Sequence, residues 1–184
     1  TGVGVIAGCS LILWDQLPRR PTENKIALLT ASIQSDEKFV KSIEHLLMAN
    51  DTNQHPMVFQ LPVMDGTLSH RLPPSSHYRP YLYSTKLHFS HGAHSSVIRD
   101  QKKLEKQIFR GAEQMEAGET MVLYQRNVEP AIKEIIEMGF DAIYINRQAY
   151  YDHAEALQDM LRRLGFETIC ESDRGDLLCV ILRP

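Results

Sequence analysis

Gly139-Phe140-Asp141-Ala142-Ile143-Tyr144-Ile145-Asn146-Arg147 and, 26 residues further on, Gly165-Phe166-Glu167 carry one signal twice. In each copy a helix-like segment ends in glycine, then phenylalanine and an acid lead into an extended run. Ahead of the first copy, Ile132, Ile135 and Ile136 share one helical face, Asn127 is a candidate cap, and Pro130 falls in the first turn, where proline is tolerated. Ahead of the second, Ala154, Leu157, Leu161 and Leu164 form the apolar face. Glycine suits the left-handed position that closes a helix. The spacing is about that of one strand–helix unit, and right-handed crossovers stack such units against a sheet. The expected fold class is therefore α/β: three layers around a central mixed, largely parallel sheet, with helices on both faces. A partial β/α barrel is the alternative.

Working outward, strands are expected at Thr120–Tyr124, Phe140–Ile145, Phe166–Glu171 and Leu177–Leu182, with parallel pairing between the strand at Ile143 and those at Ile169 or Val122. A helix is expected over Val97–Ala117, with Leu104, Ile108, Ala112 and Met115 buried and Arg99, Lys103, Lys106 and Arg110 on the wet face. Tyr81–Phe89 reads as extended, and residues 63–80, rich in turn formers, as a long loop. Pro56–Pro62 is a strand between prolines. Ser35 reads as a helix cap with Asp36 and Glu37 in the first turn, followed by Phe39, Val40, Ile43, Leu46 and Leu47 at helical spacing to about Asn50. Lys25–Thr30 is a short apolar run of uncertain type.

The domain boundaries follow from the amino-terminal end. Residues 1–24 form an apolar segment and linker, and residues 25–184 one α/β domain. Gly2–Trp14 holds 13 residues without a charge, short of the roughly 20 that cross a membrane. It is either a buried strand or core helix, or the tail of a spanning helix with Trp14 at the interface. The prolines and arginines of Leu17–Asn24 then make the linker.

Of the 184 residues, 43% are hydrophobic and 23% charged, enough for a real core, which excludes a disordered chain. Twenty Lys+Arg against 23 Asp+Glu leave a net charge of -3, so no global basic field favours nucleic acid as a partner. Cys9, Cys170 and Cys179 are too few for a disulfide framework. Cys170 and Cys179 flank the turn Ser172–Asp176. A four-residue loop, 173–176, places them directly opposite and within bridging reach, whereas a two-residue loop makes them diagonal and too far apart.

The chemistry-bearing residues are dispersed. His88, His91 and His94 invite a metal reading, but no carboxylate or cysteine stands near to complete a shell, so neither metal nor cofactor is expected. The serines around them lack a nucleophile-elbow motif, and no glycine-rich phosphate loop is present. Asp65, Asp141, Asp152 and Glu171 are the carboxylates from which a glycoside hydrolase would draw its pair. Asn146 and Arg147 leave the end of a strand, where ligands collect in parallel sheets, with Tyr150, Tyr151 and Asp152 close behind. Arg126, at the end of the strand expected at Thr120–Tyr124, is a second candidate of that kind. On the segment Tyr81–Phe89 an extended chain gives Ser84, Lys86, His88 and Ser90 one polar face. The candidate ligand pocket is therefore Arg79, Tyr81, Ser84, His88 and Ser90 with Asn146, Arg147 and Tyr150.

Several segments, in order, resemble the C-terminal extracytoplasmic region of bacterial polytopic membrane glycosyltransferase-like (GT-C-like) proteins. They are Asp15-Gln16, Asp36–Val40 into Ile43-Glu44, Val58–Pro62, Arg79–Ser84, Leu87–Gly92, and Gly139-Phe140 through Arg147 to Tyr150. Phe89, His91 and Ser95/Ser96 stand where the family has a Trp-Ser-Tyr-Gly run and a following Gly-Arg, and Asn146 replaces its aspartate. The resemblance implies an accessory, non-catalytic domain in cell-surface polysaccharide assembly, recognising a glycan or its lipid-phosphate carrier. It implies a bacterial inner-membrane protein attached through the N-terminal segment, this domain facing the periplasm or cell exterior, with transfer chemistry in upstream loops. The alternative is a soluble α/β carbohydrate-active hydrolase using paired carboxylates.

Overall fold

The computed structural model describes residues 22–49, 55–62, 75–90, 103–104, 108, 121–150, 152–167 and 169–182. The chain divides into two compact units, Thr1–Ile33 and Gln34–Pro184. In the first, the described residues are the opening turns of helix α1 (Glu23–Ala49). Thr22 caps them, its Oγ1 accepting from the Lys25 N–H at 3.4 Å, and Ile26, Leu28, Leu29 and Ile33 are exposed. Among the described residues no helix is long and apolar enough to cross a membrane. The expected segment Gly2–Trp14 lies outside them.

The second unit continues with strand β1 (Met57–Leu61), helix α2 (Ser75–Tyr83), strand β2 (His88–Phe89), helix α3 (Met121–Glu137) and strand β3 (Ala142–Asn146). A 3-10 turn at Arg147–Ala149, helix α4 (Glu155–Arg163) and strands β4 (Ile169–Glu171) and β5 (Leu177–Ile181) complete it. The five strands form one mixed sheet in the order β2-β1-β3-β5-β4. The fold is thus α/β, and its sheet is partly parallel.

Both Gly-Phe-acid segments follow a helix and precede a strand, but the strands begin at Ala142 and Ile169 rather than at Phe140 and Phe166. Gly139 and Gly165 take φ of +87° and +94° just past α3 and α4, a conformation that favours glycine. The parallel pairing lies elsewhere than anticipated. β1 pairs in parallel with β2 and β3, whereas β3 meets β5 and β5 meets β4 antiparallel. The tight turn after β4 folds β5 back, and β5 inserts between β3 and β4. The three strands of the last third therefore pair with one another antiparallel, the parallel partner of β3 being β1, and the strands at Ile143 and Ile169 are not neighbours.

Three segments change type. Residues 121–124 belong to α3 rather than to a strand, so Asn127 lies inside a helix and Pro130 sits exposed in its middle. Val128, Ala131, Ile132 and Ile135 are fully buried at helical spacing, which outweighs the strand preference of Val122 and Tyr124. Residues 75–83 are helical with Pro80 inside, so Tyr81 and Tyr83 are not on a strand and extended pairing is confined to His88-Phe89. Finally, α1 begins at Glu23, which makes Ser35 and Asp36 mid-helical and buried. Of the helix expected over 97–117, Lys103, Leu104 and Ile108 are helical, with Leu104 and Ile108 fully buried and Lys103 exposed; the remainder lies outside the described residues.

Alternation along the strands divides the core in two. Phe59, Leu61, Ile143, Ile145, Leu178 and Val180 pack with α3 and α4. Val58, Ala142, Tyr144, Leu177, Cys179 and Ile181 pack with Phe39, Val40, Ile43 and Leu47 of α1.

Candidate functional site

Because β1 and β3 are parallel, both end at one edge of the sheet, and the β4–β5 turn is tied to that edge. The Arg147 N–H, directly after β3, donates to the Asp176 carbonyl at 2.9 Å. Inside the turn, the Ser172 hydroxyl donates to Asp176 Oδ1 at 2.8 Å and accepts from the Leu177 N–H at 3.0 Å. Gly175, at φ +69°, lets the chain reverse.

Against this turn stands Asp36 of α1, its side chain 5% exposed. Its Oδ1 accepts from Arg174 at 2.7 Å and its Oδ2 from Arg79 of α2 at 3.0 Å. Both arginines remain about one-third accessible, at 39% and 34%. The same Arg174 nitrogen lies 2.8 Å from Asp176 Oδ2. Lys38 and Asp173 add an exposed pair at 2.9 Å. Three separate elements thus bring two guanidinium groups to one buried carboxylate beside the turn that is tied to the carboxyl end of β3. A planar, permanently charged fork suits phosphate or carboxylate recognition. Beneath them, burial and the charges of Asp36 and Asp176 hold the Tyr144 phenol far above its usual range.

A second polar cluster lies toward the other end of α1. Glu44 accepts from the Ser84 hydroxyl at 2.8 Å and pairs with Lys41 at 3.3 Å and Lys86 at 3.4 Å. Burial works against its charge, but these hydrogen bonds and the two lysines outweigh it and hold the carboxyl below the ordinary value. Lys41, Glu44, His45, Met48, Ala49 and Lys86 line a shallow cavity of about 440 Å³ there.

The eight residues expected to make one pocket are spread across this framework. Arg79 joins the Asp36 cluster. Tyr81 packs its ring 5.2 Å from Phe89, at the margin of the core under α1. Ser84 is buried, its oxygen also accepting from the N–H groups of Lys86 and Leu87. His88 is exposed with its ring 4.9 Å from that of His55. Ser90 Oγ accepts from the buried Gln60 N–H at 3.0 Å. Ser84, Lys86, His88 and Ser90 do not share a face, because the segment is a turn entering a two-residue strand; Ser84 and Ser90 are buried while Lys86 and His88 are exposed.

On the carboxyl side, Asn146 is buried and its Oδ1 accepts from Gln148 N–H at 3.2 Å. Arg147 donates from Nε to the His153 carbonyl at 2.7 Å and from a terminal nitrogen to Glu171 at 2.7 Å, its side chain 15% exposed. It braces a loop in which His153 and Ala154 take positive φ of 52° and 60°. Tyr150 is 2% exposed and belongs to the core against α3 and α4. Arg126 is exposed on α3 rather than at a strand end.

The carboxylates named from the sequence have local work. Asp141 accepts from Met57 N–H at 2.7 Å, Asp152 accepts from the N–H groups of Ala154 and Ala156 at the entrance to α4, and Glu171 pairs with Arg147. Asp65, His91 and His94 lie outside the described residues, among which no group of three candidate metal ligands occurs. The residues overlooked were Asp36, Arg174 and Asp176. Asp36 had a readable signal: it shares with Val40, Ile43 and Leu47 the stripe of α1 that packs on the sheet. Comparison of the chain with protein-family models, with curated proteins and with solved structures gives no match.

Proposed function

We propose that this chain is an accessory, non-catalytic extracytoplasmic domain of a membrane glycosyltransferase-like protein in bacterial cell-surface polysaccharide assembly. On this reading it belongs to an inner-membrane protein, attached through its N-terminal segment and facing the periplasm or cell exterior. Its role is to recognise a glycan or its lipid-phosphate carrier through an anionic group. We read the two apolar clusters as the interlayers of a three-layer arrangement, α1 on one face and α3 with α4 on the other.

The observation that carries the binding role is the convergence of Arg79 and Arg174 on Asp36. Buried carboxylate fixes the forks, and partial exposure leaves them within reach of a ligand. The test is binding of a short polyprenyl phosphate in detergent micelles, with the matching polyprenyl alcohol as control. Wild-type protein should prefer the phosphate, and Arg79→Gln and Arg174→Gln should each weaken binding by about tenfold, in keeping with one charged hydrogen bond. Equal binding of phosphate and alcohol sinks the proposal.

A second reading, a soluble carbohydrate-active hydrolase with paired carboxylates, draws on Asp36 and Asp176 touching one nitrogen of Arg174 at 2.7 and 2.8 Å. Arg174 occupies the space between them that a glycosidic oxygen would need. Turnover of aryl glycosides that disappears in both Asp36→Asn and Asp176→Asn would favour this reading over the first.

A further inference from the structure

Cys170 and Cys179 stand directly opposite each other on antiparallel β4 and β5, the arrangement that the four-residue loop 173–176 requires. The Ser172 N–H donates to the Leu177 carbonyl at 3.0 Å, so that pair is hydrogen-bonded, and alternation along the ladder makes Cys170 and Cys179 another such pair. Cα atoms so placed lie about 5.5 Å apart, inside the range that a disulfide spans, while the side chains stand farther apart than at a non-hydrogen-bonded pair, so the strands must close slightly to join the sulfurs. Both side chains face the core under α1: Cys179 is fully buried in it and Cys170 packs at its margin, each a free thiol. β4 has three residues and ends the strand order, with no strand beyond it among the described residues. The small approach needed to bring the two sulfurs together therefore disturbs no second ladder.

We propose that Cys170 and Cys179 are a disulfide-forming pair that locks the β4–β5 hairpin under oxidising conditions. The oxidant is a small disulfide such as oxidised glutathione. The Cys170 thiolate attacks it, forming a mixed disulfide and releasing one reduced glutathione. The Cys179 thiolate then attacks the Cys170 sulfur, closing the protein bridge and releasing the second. Two protein thiols are oxidised and one small disulfide is reduced to two thiols. Burial raises both protein thiols above their usual range, so closure accelerates as the solution is made alkaline. The bridge encloses the turn that carries Arg174 and Asp176, and so stiffens one wall of the arginine cluster. The proposal rests on strand register and core packing and holds whether or not the arginines bind an anion.

The test uses the full chain carrying Cys9→Ser, which removes the third cysteine. The folded protein is equilibrated with mixed oxidised and reduced glutathione at mildly alkaline pH, alkylated, and weighed intact and after proteolysis. The expected product is a monomer lacking two hydrogens, with no alkylated cysteine and with the Cys170 and Cys179 peptides joined. Its unfolding equilibrium should shift toward the folded state by about tenfold to a hundredfold, as closing a loop of this length predicts. Cys170→Ala should abolish both effects. Protein that stops at a mixed disulfide on Cys170, with Cys179 alkylated once unfolded, would overturn the proposal, as would disulfide-linked dimers through Cys170.

Discussion

Replacing Asp36 with asparagine tests whether the carboxylate under the two arginines organises the site. The side chain is 5% exposed and accepts from Arg174 at 2.7 Å and Arg79 at 3.0 Å. Hydrogen bonds to charged groups contribute roughly 1.5–3 kcal/mol each, and breaking a fully buried pair costs about 3–5 kcal/mol. Three considerations lower that figure. The arginines are about one-third exposed and keep part of their hydration, Asp176 still compensates Arg174 at 2.8 Å, and the desolvation cost of Asp36 disappears with its charge. A loss of about 2–3 kcal/mol follows, or about 4–12 °C in Tm for a chain of this size. Urea denaturation of wild type, Asp36→Asn, Arg174→Gln and the double variant supplies the coupling energy, expected to be about 1–2 kcal/mol. If Asp36→Asn costs under about 0.5 kcal/mol, or the two substitutions are additive, the carboxylate organises nothing and the reasoning fails.

Arg147→Ala should lose about 2 kcal/mol in thermal or urea unfolding while leaving phosphate binding unchanged, because its donors are committed to His153 and Glu171; weakened binding at unchanged stability would return Arg147 to the site. The Tyr144 phenol is held protonated in the folded protein while the unfolded chain ionises near pH 10, so its share of stability is complete below that pH and falls by about 1.4 kcal/mol per unit above it. Tyr144→Phe should therefore flatten the alkaline limb of a stability profile; superimposable limbs would contradict this. Glu44 has its folded pKa lowered, so its contribution is present above the unfolded value of about 4.3 and lost as pH falls through the folded one. Glu44→Gln should give a shallower acid limb, seen by circular dichroism during acid titration. Gly165→Ala should cost about 1–2 kcal/mol in urea unfolding from backbone strain alone, since φ is +94° and nothing lies within 4 Å of an added Cβ; a neutral outcome would mean that the α4–β4 turn relaxes freely.

What was legible in the sequence was local and periodic. The Gly139 and Gly165 turns, the α3 and α4 stripes and the strands at Ile143 and Val180 follow from 3.6- and 2-residue spacing and from the need for glycine at positive φ. Pairing direction was less legible, because it depends on where β5 inserts, and nothing in Leu177–Ile181 states which strand lies beside it. Residues 75–89 misled for a related reason. Tyrosines separated by one residue suit a strand, yet Tyr81 and Tyr83 pack on the core from a helix, so burial outweighed propensity.

The eight residues expected to form one pocket are dispersed in the fold, because local charge does not show which partners a side chain meets. Arg147, at a strand end with tyrosines nearby, reads as available, yet its donors are committed to His153 in the loop it leads into and to Glu171 of β4. Asp36 reads as a first-turn acid, yet it lies on the buried stripe of α1, and a buried carboxylate there needs partners for its charge. It finds them on α2 and on the β4–β5 turn, 43 and 138 residues away in sequence. Such distant partners leave no spacing to read, but the demand for them does leave a mark: an acid on an apolar stripe. Glu44 carries the same mark, and Ser84, Lys41 and Lys86 meet its demand. What separates Asp36 from Glu44 is where its partners emerge. Arg174 sits on the turn joined to the end of β3, so the charge that answers Asp36 comes from a separate part of the sheet, whereas Glu44 is met by Lys41 of its own helix and by Ser84 and Lys86.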